Sequence, residues 1–213
     1  MLTATILSDA EAVLAEIGEE PFLTAMAANE LPDEALARWI REDTHFLRTL
    51  RRMIASLIVD APDEHAVDVI SGAYPALQFE LDRFAREAER LGEDLEVPPA
   101  PVTARFDELL LAAARAGFAE GIGVYWAVEV AYLEAWSAVR RRVGLQEPYA
   151  VWIENWTGDA FRDFVDALGV IVDQQGSPDV VRRRAAEVFE LERELWRWCF
   201  AGDADGQDVS PSG

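Results

Sequence analysis

From Pro32 to Ile58 the chain reads PDEALARWIREDTHFLRTLRRMIASLI, and its apolar spacing decides the fold. Leu36, Ile40, Leu47, Leu50, Ile54 and Leu57 recur at alternating steps of four and three, the signature of one inward helix face. Pro32, Asp33 and Glu34 suit the start of that helix, where a proline costs no hydrogen bond and acids meet the positive end of the helix dipole. One step of the series is not apolar. It is Asp43, with Trp39 and Phe46 one turn away on either side.

Working outward, the remaining sequence also reads as helices, and no segment sustains the period-two alternation of a strand. Ser8-Asp9-Ala10-Glu11 has the form of a capping box that opens a first helix closed by Gly18. Pro21 opens a short second one. Pro62-Asp63-Glu64 starts another, with a possible break from Gly72 to Pro75, that ends near Leu91-Gly92. Val97 to Pro101 reads as a stiff connector. Thr103 is placed to cap a helix ending near Gly117. The next runs from about Glu120 to Val143, with Arg140, Arg141 and Arg142 at its negative end. Pro148 begins a short Trp-rich helix ending near Gly158, Asp159 opens one to about Gln175, and Ser177-Pro178 opens the last. The expected class is all-α: one helical domain over residues 1–200, followed by a disordered acidic tail over 201–213, which has almost nothing to bury.

Composition narrows the function. The 213 residues carry 40 acidic against 19 basic side chains, a formal net charge of −21. That field repels phosphate backbones and anionic lipid, so neither nucleic acid nor membrane is an expected partner. No leader and no long apolar run is evident, so the expected location is cytoplasmic. The single cysteine, Cys199, and the two histidines, His45 and His65, leave little for a metal centre. We expect no cofactor and no metal. Cys199 reads as a small core residue on the last helix. His45 points away from the Asp43 seam, and His65 sits at an exposed helix start.

Asp43 is not alone. Glu129 lies on a face with Trp126, Val130, Leu133 and Trp136, with Tyr125 four residues before it and Tyr132 three after. Glu192 fills the missing step among Val181, Ala185, Val188, Leu195 and Cys199, with Trp196 four residues on. Any one of these acids could be a satisfied core carboxylate. Three on three helices, each beside aromatic rings, suggest a pocket for a flat, nitrogen-rich, cationic small molecule. Acids held this way have raised pKa values and suit general acid–base work.

Several motifs carry a resemblance. Pro21-Phe22, Glu30-Leu31-Pro32 and Trp39-Ile40-Arg41-Glu42-Asp43 with Phe46-Leu47 resemble the opening of the TenA/thiaminase II family. Tyr149-x-x-Trp152-Ile153-x-x-Trp156 with Phe161, and Glu192-x-x-Leu195-Trp196, resemble its later motifs. Asn29 stands for the usual Gly, Glu42 for Gln and Trp156 for Tyr. The nucleophilic Cys of the commoner branch is absent. Trp126-x-x-Glu129-x-x-Tyr132 stands in that region and is similar to the branch lacking it. The resemblance implies a haem-oxygenase-like helical bundle, a homo-oligomer (tetramer or dimer) and a pocket for the 4-aminopyrimidine of the thiamin pathway. It also implies that Asp43 holds the ring and that Glu192 handles protons. The activity so implied is a Cys-independent hydrolysis of amino- or formylamino-pyrimidines in thiamin salvage. Water would be activated by Glu129 or Glu192, in a pocket shaped by Trp39, Phe46, Phe106, Tyr132 and Trp156. A non-catalytic pyrimidine-binding protein on the same scaffold is the alternative.

All 19 basic residues are Arg, with no Lys. A genome rich in Arg codons would explain this, and so would life in a salty cytoplasm; the size of the negative charge favours the second. At 1 M salt, self-repulsion is screened within about 3 Å. The melting temperature should therefore rise from low to molar salt in a thermal scan, and an unchanged value would remove salt adaptation.

Overall fold

A computed structural model describes residues 1–202. Among these there is no strand. The ten helices are α1 (Leu2–Asp9), α2 (Glu11–Gly18), α3 (Pro21–Ala27), α4 (Asp33–Val59), α5 (Glu64–Leu91), α6 (Pro101–Ala116), α7 (Phe118–Val143), α8 (Ala150–Thr157), α9 (Asp159–Gln175) and α10 (Pro178–Ala201). The all-α bundle expected from the apolar spacing is what forms. Ala201, placed in the tail by composition, closes α10, and the rest of the expected tail, 203–213, lies outside the described residues.

α7 is the axis. It is buried around its whole circumference from Gly121 to Tyr132 and again from Ala135 to Val139. A helix without a polar face needs neighbours on every side. α7 has them: α2, α3, α6, α8, α9 and α10 all pack on it. α4 and α5 pair along their length, and α4 also meets α6 and α10. Every residue of the α4 seam is buried, from Leu36 to Leu57.

Local signals failed at three places, each overridden by packing. Ser8 and Asp9 do not cap a helix start, because the chain is already helical from Leu2 and α2 starts after Ala10. Asp173, on α9, instead receives the backbone N–H and the hydroxyl of Thr3, which ties α1 down. Thr103 is fully buried inside the first turn of α6 and makes no cap; Ala100 holds that position. The break expected at Gly72 to Pro75 does not occur. Pro75 sits inside a continuous α5, at a cost of about 3 kcal/mol in an isolated helix. The burial of Ile70, Ala73, Leu77 and Phe84 outweighs it. Asn29, where the resembled family carries Gly, has φ 58°, the left-handed region that Asn tolerates among non-glycine residues.

Arginine closes the ends of three helices. Arg38 donates from Nε to the Cys199 carbonyl at 2.8 Å and from Nη2 to the Phe200 carbonyl at 2.6 Å. Arg142 donates to the Gly18 carbonyl at 2.8 Å, and Arg140 to the carbonyl of Thr157 at 2.9 Å. The Arg run of α7 thus does more than face its own dipole: it satisfies the last carbonyls of α2 and α8.

Gly18 fits where no larger residue would. A Cβ there would lie 2.7 Å from the Cβ of Ala138, an atom fixed to the α7 backbone. Gly18→Ala should therefore destabilise by about 1–3 kcal/mol. Thermal unfolding should show a drop of roughly 2–4 °C per kcal/mol; an unchanged midpoint would mean that α2 and α7 move apart freely.

Candidate active site

Helices α4, α5, α7, α8 and α9 leave a cavity of about 320 Å³ between them. α7 supplies Tyr125, Glu129 and Tyr132 to one wall. Steps of four and three keep them on one face, spread over roughly 10 Å of helix. α4 adds Asp43 and Phe46, α5 adds Glu80, α8 adds Asn155 and Trp156, and α9 adds Phe161 and Phe164. The wall therefore holds six aromatic rings, three carboxyl groups and one carboxamide. It holds no Arg, Lys or His.

Asp43 is anchored by a two-step relay. Trp39 donates from Nε1 to the Tyr132 hydroxyl at 3.2 Å, and that hydroxyl donates to Asp43 Oδ1 at 2.7 Å. Asp43 is 1 % exposed. Its burial pushes its pKa up to about 7, even though the Tyr132 hydrogen bond pulls the other way. Glu129 is pushed up to about 8 by burial and then by the charge of Asp43. Burial, followed by repulsion from Asp43 and Glu129, holds Glu80 well above the usual carboxylate range. Glu192 is raised by burial and then by Asp43. Four carboxyls that repel one another share their protons and titrate as a set. Burial and mutual repulsion favour their protonated forms, so a carboxyl here can give a proton as well as take one.

The structure sorts the residues singled out in the sequence. Asp43, Phe46, Glu129, Tyr132 and Trp156 face the cavity. Three do not. Trp39 lies one layer back, in a cluster with Phe22, Phe84, Trp136, Trp152 and Trp196, and backs the cavity wall through the Tyr132 hydroxyl and the Trp156 ring, 5.9 Å away. Phe106 packs edge-on behind Phe46, ring centroids 5.1 Å apart. Glu192 is buried at 1 % exposure but is not on the cavity wall, and its Oε1 has no hydrogen-bond partner. Periodicity on α4 and α10 assigns Trp39 and Glu192 to the interior but not to a layer within it, and Phe106 rests on the resemblance alone.

Glu80 was missed. It completes the series Ile70, Ala73, Leu77, Phe84 and Ala88 on α5, the same signal that identified Asp43, but the expected break in that helix hid it. Asn155 donates to Glu80 Oε1 at 3.4 Å. Glu42 serves elsewhere: it is fully buried, pairs with Arg41 at 3.0 Å and accepts the Ala100 backbone N–H at 2.8 Å, which pins the connector before α6. Cys199 is fully buried off the cavity. The His45 ring Nε2 lies 2.8 Å from the Val97 carbonyl. No group of three or more His, Cys, Asp and Glu among the described residues is arranged to hold a metal ion. No helix among them is long and apolar enough to cross a membrane.

Residues 8–198 match the profile of the TENA/THI-4/PQQC family. The chain is 28% identical over 156 residues to the thiamine biosynthesis multifunctional protein ThiED of Corynebacterium efficiens. That match takes in 70% of this chain but 21% of the relative, so the chain spans about a fifth of its length. A TenA homologue from Pyrococcus furiosus superposes with a TM-score of 0.87 at 24% identity, over 94% of this chain and all of the other. One from P. horikoshii gives 0.84 at 22%, over 95% and 99%. A putative TenA-like thiaminase from Sulfolobus solfataricus gives 0.80 at 10%, over 92% and 94%; these structures share the fold.

The raised acids make stability depend on pH. Between about 4.5 and 8, unfolded Glu129 has released a proton that the folded chain retains, so its contribution to stability falls as pH rises through that window. Glu129→Gln removes this loss. The variant should match the parent's melting temperature below pH 4.5 and exceed it by a few degrees near pH 8, about 2–4 °C per kcal/mol. A difference that does not change with pH would mean that Glu129 titrates normally.

Proposed function

The chain belongs to the TENA/THI-4/PQQC family, and on that premise we propose that it hydrolyses amino- or formylamino-pyrimidines released from thiamin, with water as the nucleophile. One observation carries the reading. Asp43, fixed by Tyr132, stands in an aromatic cavity together with Glu129 and Glu80, while the only cysteine is buried elsewhere. Its relatives, among them a thiamine biosynthesis protein and a putative thiaminase, point to the same metabolism.

The chemistry follows from the walls. The rings of Phe46, Tyr132 and Trp156 provide flat apolar surface for a pyrimidine. Asp43 gives Oδ1 to Tyr132, and Oδ2, without a partner among the described residues, accepts from the ring's amino group. Glu129 makes no hydrogen bond among the described residues and opens into the cavity. In its ionised form it takes a proton from water as the water oxygen bonds to the carbon that carries the departing nitrogen. The carbon–nitrogen bond breaks, and the nitrogen leaves as the neutral amine, carrying a proton it brought or one drawn from the acid cluster. Glu192 handles protons one layer back, where its charge bears on Tyr132 and Asp43.

Glu129→Gln should lower turnover about 10²-fold or more while ring binding through Asp43 is retained. Glu192→Gln should lower it less and shift the pH profile. The purified protein, in molar salt, is incubated with 4-aminopyrimidines bearing an aminomethyl or formylaminomethyl group, and products are followed by mass spectrometry. Release of ammonia or formate supports the hydrolase. Saturable binding without product moves the assignment to a binding protein, and full activity of Glu129→Gln removes that residue from the mechanism.

A further inference from the structure

The cavity holds more carboxyl groups than ring recognition needs. Asp43 alone can meet a 4-amino group. Glu80 and Glu129 are both more than nine-tenths buried, line the same cavity, and face no basic side chain on its wall. Asn155 donates to Glu80 Oε1 at 3.4 Å and the Trp156 indole also bonds this carboxyl, which leaves further lone pairs on it able to accept. A second unpaired group stands beside them: the Tyr125 hydroxyl, fully buried and without a partner, on a ring that lines the cavity one turn from Glu129. Buried polar groups left unpaired in the free protein mark places where a ligand supplies the partner.

Resting on the reading above, we propose that Glu80 is a specificity-determining residue that, with Glu129 and the Tyr125 hydroxyl, receives the protonated primary amine of the substrate's side chain. A single –NH₃⁺ has three donors, and Glu80, Glu129 and the Tyr125 oxygen are acceptors for them. Such a set favours an ammonium over a hydroxyl or a neutral amide of similar size. It leaves Asp43 to the ring and places the amine that departs beside the acids. Asn155 positions Glu80: its carboxamide holds one oxygen in place.

The test is binding by calorimetry with non-reacting pairs, so that it does not depend on turnover. The first pair is a 4-aminopyrimidine carrying 5-aminomethyl, measured in the slow Glu129→Gln background, against its 5-hydroxymethyl counterpart. The second pair, benzylamine against benzyl alcohol, contains no pyrimidine. With Glu80 intact the amine of each pair should bind at least tenfold more tightly, as expected for a charge-assisted contact. Glu80→Gln should abolish that preference and change the affinity for the alcohols less than about twofold. Asn155→Ala should reduce the preference in the same direction to a smaller extent, and it serves if Glu80→Gln fails to fold. Equal weakening of amine and alcohol would mean a merely structural Glu80, and an unchanged ratio would also overturn the proposal. If the benzyl pair behaves as expected but neither pyrimidine binds, the ammonium subsite stands and the pyrimidine reading falls.

Discussion

The hydroxyl of Tyr132 lies 2.7 Å from Asp43, and the rest of the site is arranged around that contact. Taking a carboxyl out of water costs several kcal/mol if it ionises alone. No arginine pairs with Asp43. Instead a neutral donor supplies one hydrogen bond, and that donor is itself steadied by the indole of Trp39. The result is a carboxyl near its titration midpoint at neutral pH. An ion pair would have fixed it as a carboxylate and given it to structure. A tyrosine leaves it able to exchange protons and free to accept from a ligand.

The same economy explains how 19 arginines are spent in so acidic a chain. None lines the cavity. Arg38, Arg140 and Arg142 instead reach the carbonyl ends of α10, α8 and α2. Planar guanidinium groups with several donors suit such ends better than an ammonium does. Other arginines pair with acids outside the cavity, and the interior acids keep their mutual repulsion. That repulsion, with burial, holds Glu80, Glu129 and Glu192 above the usual carboxylate range.

Much of this was legible before any coordinates. The step of four and three on α4 identified both a buried helix face and the one acid on it. The same reading found Glu129 and Glu192. It would have found Glu80 had Gly72 and Pro75 not been taken for a break. A proline inside a helix is costly in isolation, but α5 packs along α4, and that gain is non-local. Ser8 and Thr103 show the same limit: a capping motif is a local preference of order 1 kcal/mol, and tertiary contacts override it.

By itself the sequence determined the helical class, the inward faces and the acids that interrupt them, because periodicity follows from the geometry of a single helix. Depth was decided by the tertiary structure. Trp39 and Phe46 flank Asp43 symmetrically along the chain, yet only Phe46 meets the cavity. Glu129 and Glu192 look alike in sequence, yet one opens into the cavity and the other is sealed off it. An inward face states only that a side chain leaves water. Whether it then meets a void, another ring or a backbone depends on how the helices cross, and no single helix encodes that.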